Sequence, residues 1–355
     1  MRRTSSATHS PGPAPGCGSS PTIGVDICVV TPAELQRLSP GAVTATLERG
    51  TGIVWVDLGH EERDGMRMLT DLLEVQPTDL DDCFNRMPVP KLNAYSDHYF
   101  SAINGLARGT DGRLYFQPLK IFFAERVLFT VMGPTSAALT PEAVRRDIAL
   151  VRDRLAARQL RPSSAFELVA AIRLQMLRSQ EALVAEAAAR AAELEKSVMG
   201  IDPVKAETVL HDLFTLRHDL QTIRTNAAQT HELYVHLIEI LRSQEGLMAL
   251  DIRRLNDLRL GFSHLRNTVD LEREYLQEVL DLLQTRVSTE LNRFVRKITA
   301  WGTIGIAWTV IVGVYGMNFD DIPGLAWRSG YLLAFGLMGV VGLVLGVMFR
   351  RRGWL

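Results

Sequence analysis

Along the last third of the chain, neutral oxygen-bearing side chains recur inside apolar sequence. Asn292, Thr309 and Asn318 stand among Val295, Ile298, Gly302 and Ile306. Spaced three or four apart, Asn292, Val295, Ile298, Gly302, Ile306 and Thr309 share one face of a helix. Asp281, about three turns before Asn292, returns to that face. Amides and hydroxyls offer oxygen to a polar solute without fixed charge. Such a stripe suits a pore if several copies surround an axis, since one subunit cannot enclose a channel. For Thr309 an equal reading is that its hydroxyl bonds back to its own helix. Asn318 closes the stripe in Tyr315-Gly316-Met317-Asn318-Phe319, and Asp320 and Asp321 follow before a second apolar run begins.

The elements that must carry these residues are two uncharged stretches. None of Asp, Glu, Lys or Arg occurs between Lys297 and Asp320, nor between Arg328 and Arg350. As helices, each crosses a hydrocarbon core of about 30 Å. The first membrane segment is expected at 298–318, continuing a stalk helix that begins at 247. A tight loop follows at 319–328, a second span at 329–349 and a basic tail at 350–355. Arg293, Arg296 and Lys297 precede the first span and Arg350, Arg351 and Arg352 follow the second, whereas the loop holds Asp320 and Asp321 with one arginine. The positive-inside rule then predicts both chain ends in the cytoplasm and the loop outside, in a cell (inner) membrane. Trp301, Trp327, Tyr331 and Trp354 fall near the expected boundaries, where aromatic rings anchor in lipid headgroups.

The N-terminal stretch 1–22 is rich in Ser, Pro and Gly, lacks an apolar core region and reads as a disordered tail, not a signal peptide. Residues 23–160 read as a cytoplasmic α/β domain with a mostly meandering sheet. Val, Ile and aromatic residues predict strands at 25–30, 52–58, 98–107, 114–123 and 126–132. Helices are expected at 32–38, 61–74, 78–85 and 141–157, and a hairpin turn at Gly109–Gly112. A helical hairpin follows over 161–246, with helices at 163–199 and 204–242. No proline occurs between Val204 and Ile322, which predicts one helix from about 247 through 316, packed on copies of itself or on the preceding hairpin. Gly261 is its lone internal glycine before the membrane. The fold class is thus an α+β domain, a long-helix stalk and two C-terminal transmembrane helices.

Several classes are disfavoured. A net charge of −1 over 355 residues does not single out nucleic acid, and none is expected as a partner. There is no Gly-rich phosphate loop, so no ATP site, and no nucleophile elbow; an enzyme is not expected. Cys17, Cys28 and Cys83 lack metal-ligand spacing and are expected reduced in a cytoplasmic body. The histidines, such as His211, His218, His231 and His236, are read as solvated residues on polar helix positions, without a zinc motif.

Tyr315-Gly316-Met317-Asn318-Phe319 resembles the signature of the CorA family of magnesium channels. Leu291-Asn292 with Lys297, the two-span layout, Pro323 and the ending Arg351-Arg352-Gly353-Trp354-Leu355 look like that family too. So does Leu80-Asp81-Asp82 followed by Pro90-Lys91-Leu92 and Tyr95. The resemblance spans most of 25–355. It implies a homopentamer in membrane lipid, with five long helices lining the axis and Gly316, Met317 and Asn318 as a selectivity filter at the outer mouth. Mg²⁺ sheds its waters reluctantly, and Asn318 amide oxygens with the Gly316 carbonyl could bond those waters without stripping them. Asp320 and Asp321 would concentrate cations at the entrance. Thr309 and Asn292 would add polar rings, Val295, Ile298 and Ile306 apolar collars, and Asp281 would face the exit. Regulatory Mg²⁺ is expected between subunits at Asp82 and Asp257, where two carboxylates repel unless a divalent cation lies between them.

The chain departs from that pattern in three places. Ala307-Trp308-Thr309 stands where the family carries Pro-Leu-Thr, Gly324 where a loop acid is expected, and Met87-Pro88-Val89 where a polar pair is usual. The expected cargo is Mg²⁺, with Co²⁺ and Ni²⁺ as further cargo. A zinc transporter of the same superfamily, proton-coupled, and a non-conducting membrane-anchored sensor or scaffold are the alternatives. The first span carries no Cys or His for a soft metal.

Overall fold

The computed structural model describes residues 25–32, 34–85, 89–200, 206–243, 249–317 and 330–355. The chain divides into two units near residues 185, 218 and 270. One holds a seven-stranded sheet and the helical segments that cover it; the other holds the remaining helical segments and the C-terminal hairpin.

The strands are β1 (Asp26–Val30), β2 (Leu35–Arg37), β3 (Ile53–Gly59), β4 (Lys91–Ala94), β5 (Tyr99–Arg108), β6 (Leu114–Phe123) and β7 (Val127–Met132), in spatial order β2-β1-β3-β7-β6-β5-β4. β5 to β7 form the expected meander and β4 extends it where the sequence predicts no strand, all antiparallel, while β3 and β7 pair parallel through a crossover. The β5–β6 turn is closed by Gly109 N–H donating to the Arg113 carbonyl at 2.8 Å, with Gly112 at φ +78°, which glycine adopts without strain.

Both faces of the sheet are covered, because successive side chains along a strand point to opposite sides. In β3, Ile53 and Trp55 join a core with Val144, Ile148 and Val151 of α4 (Pro141–Ala156) and Leu168 and Ile172 of α5 (Ala165–Met199). Val54, Val56 and Leu58 face Val43 of α1 (Val43–Glu48), Met66 and Leu69 of α2 (Arg63–Leu72) and Cys83 of α3 (Pro77–Phe84). Cys28 and Cys83 are free and buried, and desolvation pushes both thiols up to about 12.

Two sequence expectations are corrected. Residues 32–38 are not a helix: Leu35–Arg37 pairs antiparallel with Cys28–Val30. Thr31 and Glu34 close the turn, Thr31 N–H donating to the Glu34 carbonyl at 3.0 Å and Glu34 N–H donating to the Thr31 hydroxyl at 3.1 Å. Pairing to an existing strand outweighed local helix propensity. Nor do the histidines all lie on polar helix positions. His98, just before β5, is buried, stacked on Tyr95 at 4.8 Å and bonded to Asp97 at 2.8 Å.

The remaining helices are α6 (Ala206–Ser243), α7 (Ala249–Tyr315) and α8 (Gly330–Arg351). At 1.5 Å per residue α7 is about 100 Å long. It runs through Gly261 unbroken; the glycine makes room for Leu177 of α5, whose side chain would collide with a Cβ there. Both α7 and α8 contain stretches long and apolar enough to cross a membrane, and those stretches are mostly exposed.

Candidate functional site

The C-terminal hairpin gives α7 two unlike faces. Ala300 and Ile304 are buried against Phe349, with Leu345 and Trp354 packed alongside. One turn further, the Trp308 indole N–H donates to the Met338 carbonyl at 2.9 Å. Gly342 lies under the same ring, where a Cβ would come within 3.2 Å of it. The pairings 300 with 349 and 308 with 338 and 342 run in opposite directions, so α7 and α8 are antiparallel. Phe349 and Trp354 stack at 5.5 Å and close the hairpin's end.

The stripe read from the sequence lies on the other side. At 3.6 residues per turn, Gly302 is about 160° around the helix from Ala300 and Ile304. Val295, Ile298, Gly302, Ile306 and Thr309 all fall within about 40° of Gly302, with Asp281 and Asn292 at about 60–80°. Every one of these residues is exposed; Ile306 is 68% exposed where Ile304 is 5% exposed. The Thr309 hydroxyl donates to the Gly305 carbonyl at 2.9 Å, the back-bond that its position in a helix invites. The Asp281 carboxylate accepts from the Gln277 amide at 3.2 Å. After α7 ends, Gly316 N–H still donates to the Val312 carbonyl at 2.9 Å and Met317 N–H to the Val314 carbonyl at 3.3 Å. Asn318, Asp320 and Asp321 lie outside the described residues.

The second group of predicted residues centres on α3. Asp82 accepts from Lys91 Nζ at 2.9 Å, and so does Asp79 at 3.1 Å. Asp79 is fully buried and also accepts from Asn93 Nδ2 at 3.0 Å and the Tyr95 hydroxyl at 2.5 Å. Burial works against the Lys91 ammonium, but its bonds to Asp82 and Asp79 prevail and raise its pKa. Burial and the Asp79 bond together raise that of Tyr95. The sequence reading passed over Asp79. Its signal is the alternation Lys91, Asn93, Tyr95, which aims three polar groups to one side of an edge strand.

Asp257 is exposed on α7 and lines a groove of about 340 Å³ with Glu167 and Arg254, themselves paired at 2.6 Å. Within one chain, Asp82 and Asp257 therefore have separate neighbours. Among the described residues, no group of three or more His, Cys, Asp or Glu side chains converges to hold a metal ion.

Comparison with known proteins places this geometry. The family model described as CorA-like Mg²⁺ transporter protein matches residues 50–351. The Bacillus subtilis protein YfjQ is 28% identical over 304 residues, covering 84% of this chain and 89% of that protein. The complete structure of the CorA magnesium transporter from Methanocaldococcus jannaschii superposes with a TM-score of 0.74 at 18% identity, over 94% of this chain and 99% of that one. The ZntB cytoplasmic domain from Vibrio parahaemolyticus superposes with a TM-score of 0.53 at 13% identity, over 75% of this chain and all of that one. The family match covers strands β3 to β7, the long helix and both apolar helices, and on that ground the chain is a membrane protein and a member of the CorA-like family of metal ion transporters.

Proposed function

We propose that the chain is one subunit of a homopentameric channel in the cell membrane that carries hydrated Mg²⁺ inward, with Co²⁺ and Ni²⁺ as further cargo. The observation that carries this reading is the division of α7, from Ala300 to Trp308, into a side packed on α8 and an opposite side exposed at Gly302, Ile306 and Thr309, while residues 291–299 before it are exposed all round. An oligomer in which the exposed faces meet would surround an axis with Asn292, Val295, Ile298, Gly302, Ile306 and Thr309. Thr309 could turn its back-bonded hydroxyl's lone pairs to the axis. Gly316, Met317 and Asn318 would form the outer filter, and Asp320 and Asp321 would gather cations before it. Neutral oxygens bind the waters of a hard cation loosely enough to let it leave, which conduction requires.

Both chain ends would lie in the cytoplasm, by the basic flanks of the two spans. A membrane potential negative inside then drives entry at about 2.3 kcal/mol per charge per 100 mV, so no ATP site is required. Mg²⁺ held between Asp82 of one subunit and Asp257 of the next would keep the ring closed, and its loss would loosen it. In that role Mg²⁺ competes with Lys91 for Asp82. The likeness to ZntB keeps zinc as the second reading; the absence of Cys and His from the first span argues for the hard cation.

The test is flux into proteoliposomes of purified protein at an imposed inside-negative potential, with a magnesium dye inside and Zn²⁺ assayed in parallel. Mg²⁺ entry that Asn318→Ala abolishes, with the oligomer intact by light scattering, is the expected result. Mg²⁺ flux unchanged in that variant sinks the filter assignment, and Zn²⁺ entry without Mg²⁺ moves the chain to the zinc branch.

A further inference from the structure

On the face of the sheet opposite the Asp79 cluster, α5 buries a cation. Arg173 is 5% exposed, and its guanidinium donates to the Ser101 hydroxyl at 2.9 Å. Its other polar neighbour is the Tyr234 ring, whose centroid lies 5.5 Å from the guanidinium carbon. Tyr234 is 2% exposed, and its hydroxyl has no hydrogen-bond partner among the described residues. No carboxylate pairs with Arg173 among the described residues. Arg173, Ser101 and Tyr234 line one cavity of about 30 Å³, and every other side chain lining it is Leu, Val, Ala or Phe.

This is an unusual set of groups to enclose together. A buried cation without a counter-charge and a buried hydroxyl without a partner each destabilise a fold. Ser101 already accepts from the guanidinium, which leaves its hydrogen to donate. Burial raises the Tyr234 pKa, so the phenol keeps its proton. The lining side chains thus present a positive charge and two hydroxyls, each able to donate as well as accept. A water molecule there could bond both hydroxyls but would leave the guanidinium charge uncompensated. An anion accepts from the hydroxyls and compensates the charge. By the same measure a single water needs only ~10–15 Å³, so the cavity has room for a monatomic ion.

We propose that this cavity binds a small monovalent anion, a halide, as a structural ligand held by the Arg173 guanidinium and the Ser101 and Tyr234 hydroxyls. The site is independent of the cation path and of the transport reading above.

The full chain in detergent, titrated with sodium bromide against sodium gluconate at fixed ionic strength, tests it. The thermal midpoint should rise saturably with bromide, because a ligand that binds only the folded state stabilises it. Bromide should give an anomalous diffraction peak beside Arg173. Arg173→Met should abolish both signals. Should that variant not fold, Tyr234→Phe and Ser101→Ala keep the guanidinium and remove one donor each. Each should raise the half-saturating bromide concentration about tenfold, the worth of one hydrogen bond to a charged group. A flat wild-type titration overturns the proposal and leaves the cavity to water. So does a bromide response unchanged in all the variants that fold, which would be a general salt effect.

Discussion

Ile304 and Ile306 are two residues apart on α7 and differ in almost everything that matters. Ile304 is enclosed with Phe349 and Ala300; Ile306 is open. The same contrast recurs on α3, where Asp79 is fully buried among three donors and Asp82, one turn on, accepts from Lys91 alone among the described residues. In both cases one member of the pair is completed within the chain. The other has contacts to spare, and it is the other that the proposed function uses. The lesson is that a subunit finished on one face and unfinished on the next is built to be completed by something outside itself.

The sharpest way to break that contrast is a matched pair of substitutions. Ile304→Ala should cost about 2–4 kcal/mol, as truncation of an enclosed core side chain does. Ile306→Ala should leave hairpin stability nearly unchanged and alter flux instead. Denaturation in mixed micelles and the liposome assay separate the two, and equal stability losses would show that the faces are not distinct. Next in size is Gly342→Leu, which pushes a branched side chain into the Trp308 ring. About 2 kcal/mol of destabilisation is expected from overpacking, read in the same denaturation experiment; a neutral result would mean that the helices part there freely.

Lys91→Met removes the cation that Asp82 shares. If Mg²⁺ bridges Asp82 to a neighbouring subunit, the Mg²⁺ concentration giving half-maximal protease protection should fall about tenfold, or ~1.4 kcal/mol. No change in that midpoint would detach Asp82 from cation sensing. Smallest is Trp308→Phe, which keeps the ring over Gly342 but loses the bond to the Met338 carbonyl. Interhelical bonds in lipid average about 0.6 kcal/mol, so a slight loss of hairpin stability is expected, measurable against wild type in parallel titrations.

The departure at Ala307-Trp308-Thr309 gains a physical meaning from these contacts. Without a proline, α7 stays regular through this segment, and the indole takes up a role the sequence did not suggest. It ties the first span to the second through a carbonyl and a glycine thirty-odd residues away. Periodicity could find the stripe from Asn292 to Thr309 because helical spacing is a local property. It could not say which side of the helix α8 would cover, since both sides are apolar enough for lipid.

What the sequence by itself determined was whatever follows from local pattern. The proline-free run carries α6 and α7, the two uncharged stretches, so far as described, fall on α7 and α8, the β4–β7 meander contains the aromatic strands expected at 98–107, 114–123 and 126–132, and Val295, Ile298, Gly302, Ile306 and Thr309 share one face. Each depends on the backbone's own period or on the cost of putting charge in lipid. What only the tertiary structure decided were the relations between distant segments. Leu35–Arg37 became a strand because β1 offered it unpaired hydrogen-bonding groups. Asp79 became a hub because β4 brought Lys91, Asn93 and Tyr95 to it. Arg173 became a buried cation because α6 laid Tyr234 over it on one side and β5 set Ser101 beside it on the other. Those outcomes turn on which surfaces meet, and meeting is a matter of long-range packing that no window of neighbouring residues contains.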